Sequence, residues 1–297
     1  PANSDHFGWS VSMSDDGNRV IVGVERDDVP SDAGSAQIFV RDANGVWTWE
    51  DELRNPLQAS NDYFGSSVDI SGDGTRAIVG AYSDDVSGSD TGTAHIFVRD
   101  ATTTPISWTH EKELRHEGVS GQTVNSSDQF GWSVSISTDG SLAIVGARYT
   151  NSPESDAGSA YVFKRTVTAW DLEQRLTSTG GYGGTDGSDY FGSSVDISGD
   201  GTRVIVGAYA DNGIGTNLNN QGSAHIFRRD ATTTPISWVY EKELQHTSSM
   251  QTVNSSDHFG YSVSISNDGN RVIAGAKNTN LGGGNAGSAY IFDRTTG

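Results

Sequence analysis

One stretch is written five times in this chain, and that repetition limits the fold more than any other feature. The copies begin at Asp5 (DHFGWSVSMSDDGNRVIVGV), Asp62 (DYFGSSVDISGDGTRAIVGA), Asp128 (DQFGWSVSISTDGSLAIVGA), Asp189 (DYFGSSVDISGDGTRVIVGA) and Asp257 (DHFGYSVSISNDGNRVIAGA), 57 to 68 residues apart. Each reads as two short strands rich in Val, Ile and Ser. The Asp-Gly pair between them suits a tight primed turn with positive φ. Such repetition marks an array of equivalent units, none of which can bury its apolar face alone.

The rest of each unit follows the hairpin. A polar loop ends in Gly-Ser-Ala or Gly-Thr-Ala and opens a third strand: GSAQIFVRD from Gly34, GTAHIFVRD from Gly92, GSAYVFKR from Gly158, GSAHIFRRD from Gly222 and GSAYIFDR from Gly287. A fourth segment carries Trp, Glu and Leu at even spacing: Trp47-Glu50-Leu53, Trp108-Glu111-Leu114, Trp170-Glu173-Leu176 and Trp238-Glu241-Leu244. Strand alternation predicts Trp and Leu on one face and Glu on the other. No stretch has sustained helical periodicity with caps, so the expected class is all-β.

Four antiparallel strands per repeat point to a β-propeller of five four-stranded blades, a single domain over 1–297. The blades are expected at about 5–55, 62–117, 128–177, 189–246 and 257–294. The fifth repeat ends without the Trp-Glu-Leu segment, so its blade should have three strands and an exposed edge. Glycines after each Phe (Gly8, Gly65, Gly131, Gly192, Gly260) and late in each second strand (Gly23, Gly80, Gly146, Gly207, Gly275) mark close backbone approach. Repeats one, three and five carry SVS in strand one, where two and four carry SVD.

Thirty-eight acidic against nineteen basic residues give a net charge of −19, which disfavours nucleic acid and anionic membrane surfaces and favours cations as small partners. The apolar runs are too short to cross a bilayer, so no membrane insertion is expected. With no Cys there is no disulfide framework and no thiolate metal site.

Phe-Gly opening strand one, Val-Gly-Ala closing strand two and Gly-Ser-Ala-x-Ile-Phe in strand three resemble the FG-GAP repeat, the blade unit of integrin α-subunit propellers. The likeness is to the short bacterial-type variant, which also carries the Trp-containing fourth strand. It implies an extracellular or cell-surface propeller used for adhesion or as a scaffold, commonly without catalysis. Integrin-type propellers have seven blades, and some bind calcium in a long loop between strands one and two. Here that loop is as short as SGDGTR, too short to wrap an ion needing six or more oxygens. Asp16, Asp73, Asp139, Asp200 and Asp268 are therefore expected as turn residues.

The loops from strand two to three and from one blade to the next should share one face, and they collect acids. Asp27, Asp28 and Asp32, then Asp84, Asp85 and Asp90, and Asp156 are the candidate ligands for Ca2+, with no cofactor required. The Asp before each Phe-Gly is expected on that same face. Asn125 and Asn254, both in QTVNSSD, are candidate N-glycosylation sites.

Histidines recur in register, His95 with His225, His116 with His246 and His6 with His258, and no Gly-x-Ser-x-Gly elbow or phosphate loop is present. No catalytic residue is expected. The favoured function is a non-enzymatic, extracellular structural or adhesive propeller within a larger fibre or surface assembly. Its partners are other protein subunits or glycans, with head-to-tail self-assembly through the open edge of the last blade. The alternative is a lectin-like carbohydrate-binding propeller, and the third reading a glycosidase with paired carboxylates.

Overall fold

The computed structural model describes residues 5–28, 31–116, 123–151, 155–178, 187–212, 219–246, 254–280 and 284–294. They form nineteen strands in five antiparallel sheets, the first four of four strands and the last of three. The first sheet holds β1 (Phe7–Met13), β2 (Arg19–Val24), β3 (Ser35–Arg41) and β4 (Trp47–Leu53). The second holds β5 (Ser67–Ile70), β6 (Arg76–Ala81), β7 (Thr93–Asp100) and β8 (Ser107–Leu114). The third holds β9 (Phe130–Ile136), β10 (Leu142–Ala147), β11 (Ser159–Arg165) and β12 (Trp170–Leu176). The fourth holds β13 (Ser194–Ile197), β14 (Arg203–Ala208), β15 (Ser223–Asp230) and β16 (Ser237–Leu244), and the last β17 (Phe259–Ile265), β18 (Arg271–Ala276) and β19 (Ser288–Asp293). Each sheet is a meander in sequence order, as the repeat predicts.

Two local readings are corrected. The Asp-Gly turn is not a two-residue primed turn. In the fourth blade Ser198 N–H bonds Arg203 O at 2.9 Å and Gly201 N–H bonds Ser198 O at 2.8 Å. Of the turn residues only Gly201 has positive φ, at 67°. The Asp200 carboxylate selects this longer turn by accepting Thr202 N–H at 2.9 Å and Ser198 Oγ–H at 2.7 Å. Those hydrogen bonds outweigh the effect of burial and hold its pKa below the usual carboxylate value.

Trp and Leu of the fourth strand lie on opposite faces, not on one. The register passes from Ile38↔Asp51 to Phe39↔Trp49, so Glu50 is an extra, bulged residue. Glu111 and Glu241 are skipped in the same way. A bulge re-aims the chain by one residue, which reverses the alternation between Trp and Leu. It also turns the Glu towards the following blade.

Contacts group the chain into two units, 1–145 with 163–171 and 146–162 with 172–297, and the boundary runs through the third sheet. In the first unit, Ile21, Ala36, Ile38 and Leu53 of the first blade pack on Phe64, Val68, Ile70, Val79, Phe97 and Trp108 of the second. In the second unit, Ile205, Ala224 and Leu244 of the fourth blade pack on Phe259, Ile265, Val272 and Phe292 of the fifth. Each blade thus has a leading face, towards its predecessor, and a trailing face, towards its successor. Burying one side chain such as Phe64 is worth roughly 1.5–3 kcal/mol, so neighbouring blades are the main source of stability for one another.

The signature glycines belong to these interfaces. A Cβ on Gly23, Gly80 or Gly207 would lie 2.0 Å from the carbonyl oxygen of Gly65, Gly131 or Gly260, the Phe-Gly glycine of the next blade. The serine–aspartate alternation is explained as well. Asp69 of the second blade accepts Ser12 Oγ–H of the first at 2.5 Å, and Ser135 Oγ–H and Ile136 N–H of the third at 3.0 and 2.8 Å. Asp196 accepts Ser264 Oγ–H and Ile265 N–H of the fifth blade, both at 2.8 Å.

Candidate functional site

Several of the loop acids named for Ca2+ have partners within the chain. Asp32, Asp90 and Asp156 sit at φ of 51°, 54° and 55°, the left-handed region that Asp tolerates in turns. Their carbonyls accept the N–H groups of Tyr63, Gln129 and Tyr190, each in the following blade. Asp27 accepts Ser35 Oγ–H at 2.7 Å and Arg54 Nη2–H at 2.8 Å, and Asp85 accepts Asp90 N–H at 2.8 Å. Asp84 accepts Asn55 Nδ2–H and Thr93 Oγ1–H at 2.9 and 2.8 Å, while Asp28 is exposed. Among the described residues no three Asp, Glu or His side chains converge as a metal site.

The aspartates before Phe-Gly are not on an acidic surface. Asp5, Asp62, Asp128, Asp189 and Asp257 are at most 4% exposed. Asp62, Asp128 and Asp257 each tie their own turn, Asp62 by accepting Ala59 N–H at 2.8 Å. Asp128 accepts Asn125 N–H at 2.8 Å and bonds His116 Nε2 at 2.9 Å; Asp257 accepts Asn254 N–H at 2.8 Å and bonds His246 Nε2 at 2.7 Å. Asn125 and Asn254, the candidate glycosylation positions, therefore begin these two turns. Asn125 Nδ2–H also donates to Thr123 O at 3.0 Å.

Asp62 has no histidine. Burial, then the charges of Asp84 and Asp85, raise its pKa from 3.8 to about 6, against hydrogen bonds from Ala59 N–H and Asn55. An acid whose folded pKa lies above its unfolded one favours folding at low pH, and that advantage fades as pH rises from about 4 to about 6. Asp62→Asn, which keeps an acceptor for Ala59 N–H, is expected to raise the urea midpoint at pH 7.5 and to leave it nearly unchanged at pH 4.

Two clusters have the residue types of a hydrolase without its geometry. Ser223 Oγ–H donates to Asp211 Oδ2 at 2.5 Å and meets His225 Nε2 at 2.8 Å, with Ser223, Asp211 and His225 only 0%, 1% and 2% exposed. Thr93, Asp84 and His95 repeat the arrangement at 2.8 and 2.9 Å. The hydroxyl bridges acid and imidazole and is buried with both of them. A nucleophile needs an open side for attack, and these hydroxyls are enclosed.

Half-exposed aromatics form the surface feature with most chemical potential. In the first unit Tyr63 stacks on Tyr82 at 5.3 Å, Tyr82 meets Trp132 edge-on at 4.8 Å, and the Arg26 guanidinium stands 5.6 Å over Tyr63. In the second, Tyr149, Tyr190, Tyr209 and Tyr261 follow one another at 5.2, 5.2 and 5.5 Å. Arg148 lies over Tyr149 at 4.5 Å and Lys277 over Tyr261 at 4.4 Å. Most of these residues come from three repeat positions: the one before Phe-Gly, the one after it, and the end of Val-Gly-Ala-Tyr; Tyr149 lies one residue beyond the last of these, where the third repeat has Arg148. Their recurrence was readable in the sequence, but their convergence across neighbouring blades required the packing.

A groove of about 540 Å³ lies beside the open edge of the last sheet, between β16 and β19, lined by Arg203, Glu241, Leu244, Phe292, Asp293 and Arg294. It lies where the other blades carry a fourth strand. Its carboxylates are held by arginines: Glu241 by Arg203 at 2.9 Å and Arg294 at 3.4 Å, and Asp293 by Arg271 at 2.6 Å. That is not the acid-and-base pair of a glycosidase.

Five meanders in sequence order, all-β and three-stranded in the last, with the Phe-Gly segments bonded to the preceding blade through Phe64, Phe130, Phe191 and Phe259 N–H, define a five-blade β-propeller. The family model for the FG-GAP repeat matches residues 1–39, 47–97, 122–163, 170–227 and 252–292, well over half of the sequence, and the chain belongs to that family. Among solved structures, one described as a 6-phosphogluconolactonase from Bacteroides uniformis ATCC 8492 is similar over 97% of this chain and 81% of that one. Its TM-score is 0.50 at 12% identity, a likeness of fold alone. No curated protein matches the sequence.

Proposed function

We propose that this chain is a non-catalytic, extracellular or cell-surface propeller serving as a structural or adhesive module. The observation that carries this reading is the fate of the reactive-looking groups. The repeated Asp, His and hydroxyl side chains lie within blades or between them as buried hydrogen-bond partners. A net charge of −19 supports other proteins or glycans over nucleic acid as partners. Among the described residues no helix is long and apolar enough to cross a membrane. Asn125 and Asn254 are the positions where this reading puts N-glycans, and it requires no bound ion.

A carbohydrate-binding role is the second reading, and the aromatic clusters favour it. Tyrosine faces flanked by Arg26, Arg148 and Lys277 offer apolar platforms for sugar rings beside donors for their hydroxyls. Glycan-array binding is expected without turnover, with Tyr82→Ala and Tyr209→Ala each weakening it about tenfold, the worth of one aromatic contact. Release of a shortened glycan would overturn the non-catalytic reading. Binding unchanged in both variants would remove the clusters as the site.

A further inference from the structure

The loop after strand two opens on a turn in every blade, yet its charge differs between the two units. Its first residue is Glu25 or Tyr82 in the first unit, and Arg148, Tyr209 or Lys277 in the second. Its fourth is Asp28 or Asp85 in the first unit, and Asn151, Asn212 or Asn280 in the second. The frame is the same in both: Asp27, Asp84, Thr150 and Asp211 N–H bond the carbonyls of Val24, Ala81, Ala147 and Ala208, three residues back. The exchange of acid for amide is therefore a change of chemistry on a fixed turn.

Each amide is oriented by the loop it closes. Asn151 Oδ1 accepts Asp156 N–H, Asn212 Oδ1 accepts Asn220 N–H and Asn280 Oδ1 accepts Asn285 N–H, at 2.8, 2.9 and 2.8 Å. Asp85 Oδ1 accepts Asp90 N–H in the same way, at 2.8 Å. With that oxygen fixed, the second terminal atom is a charged acceptor on Asp85 and an NH2 donor on each Asn. The aspartates nearest the second unit's tyrosines in sequence are enclosed: Asp189, Asp211 and Asp257 are 3%, 1% and 1% exposed. Asp156, whose carbonyl accepts Tyr190 N–H, is half-buried. Arg148 is half-buried too, with its guanidinium 4.5 Å over the Tyr149 ring. Its charge reaches Tyr209, where it opposes the rise in pKa that burial causes.

We infer that the tyrosine cluster of the second unit binds an acidic saccharide, a sugar ring that carries a carboxylate. This rests on the carbohydrate-binding reading and adds the charge of the ligand to it. The ring's apolar face stacks on Tyr190 or Tyr209, and the carboxylate takes the Arg148 guanidinium, whose fork matches two oxygens. The Asn151 amide is a further donor in the same loop. Tyr149 and Tyr209 flank Tyr190 at 5.2 Å each, so the platform is complete within the third and fourth blades. The net charge of −19 opposes polyanions at long range, so a short saccharide with few carboxylates fits better than a densely charged chain. In the first unit Arg26 stands over Tyr63, but the exposed Asp28 and Asp85 occupy the amide positions, so no such preference is expected there.

Isothermal titration calorimetry with matched sugars tests it: trigalacturonate against its uncharged methyl ester, and sialyllactose against lactose. The acid of at least one pair should bind about tenfold tighter than its neutral partner, the worth of one charge-assisted hydrogen bond, and that pair identifies the acidic sugar. Arg148→Gln should abolish the preference and leave the neutral sugar's affinity unchanged, with an unmoved urea midpoint showing that the fold is intact. Tyr82→Ala, in the first unit, should leave the preference as it is. Acids that bind no tighter than their neutral partners, or a preference that survives Arg148→Gln, would overturn this inference while the carbohydrate-binding reading stands. Failure of all four sugars to bind would overturn both.

Discussion

Gly80→Ala is expected to cost more than about 4 kcal/mol, in the range where a single substitution abolishes folding of a marginal domain. The added Cβ would lie 2.0 Å from the carbonyl oxygen of Gly131 and 3.0 Å from its carbonyl carbon. Those atoms are backbone, fixed by the sheet of the next blade, so the clash is relieved only by separating the two blades. Separation would expose a core that includes Phe130, itself fully buried. Gly275→Ala is the control at the same repeat position. With 3.7 Å to the nearest atom, it should be neutral or gain about 0.5–1 kcal/mol from the less flexible unfolded chain. Guanidinium denaturation of dilute protein, monitored by tryptophan fluorescence, reads both. Equal effects at the two positions would show that glycine serves strand geometry and not blade approach.

Glu50→Ala is expected to cost about 3–5 kcal/mol, the range for removing one partner of a buried ion pair. Glu50 is held at 3.3 Å by Arg19, at 3.1 Å by Arg99 and at 3.0 Å by Trp108 Nε1–H, and its side chain is 5% exposed. Its removal leaves two guanidinium groups and an indole N–H without their acceptor between blades. Burial alone would raise its pKa, but the hydrogen bonds from Trp108 and Arg99 and the arginine charges lower it. This stabilisation is present above the usual Glu pKa and is lost as pH falls through the depressed value, opposite in sign to the effect of Asp62. Asp293→Ala, which removes a pair whose side chains are 66% and 65% exposed, should leave the monomer's denaturation midpoint nearly unmoved. A small loss for Glu50→Ala would mean that water, not the carboxylate, satisfies these donors.

Much of the fold was legible because a repeat reports its own boundaries. Five copies of Phe-Gly, five of Gly-Ser/Thr-Ala and four of Trp-x-x-Glu-x-x-Leu define the sheets, their strand order and the short last blade. The turn aspartates were legible too, since Asp16 and Asp268 accept the N–H two residues on, at 2.9 and 3.0 Å, as Asx turns do. The fourth strand was misread at Glu50. Period-two alternation assumes an unbroken ladder, and a one-residue bulge leaves no mark in composition. The acids were misplaced for a similar reason. Asp62 and Asp128 look like surface carboxylates in the sequence, and only the turn that folds over each reveals that it is buried.

Local patterning, read off the sequence, determined that this chain builds five strand meanders with Asp-Gly turns, because alternation and turn chemistry act within a few residues and repeat identically. The tertiary structure alone decided which glycines admit a neighbour's backbone, which aspartates are buried and which tyrosines meet. The same motif has different surroundings in each blade. Asp62 and Asp128 occupy identical sequence positions, yet one is bonded by Asn55 and lies near the charges of Asp84 and Asp85 while the other is bonded by His116, because each site is completed by residues distant in the chain.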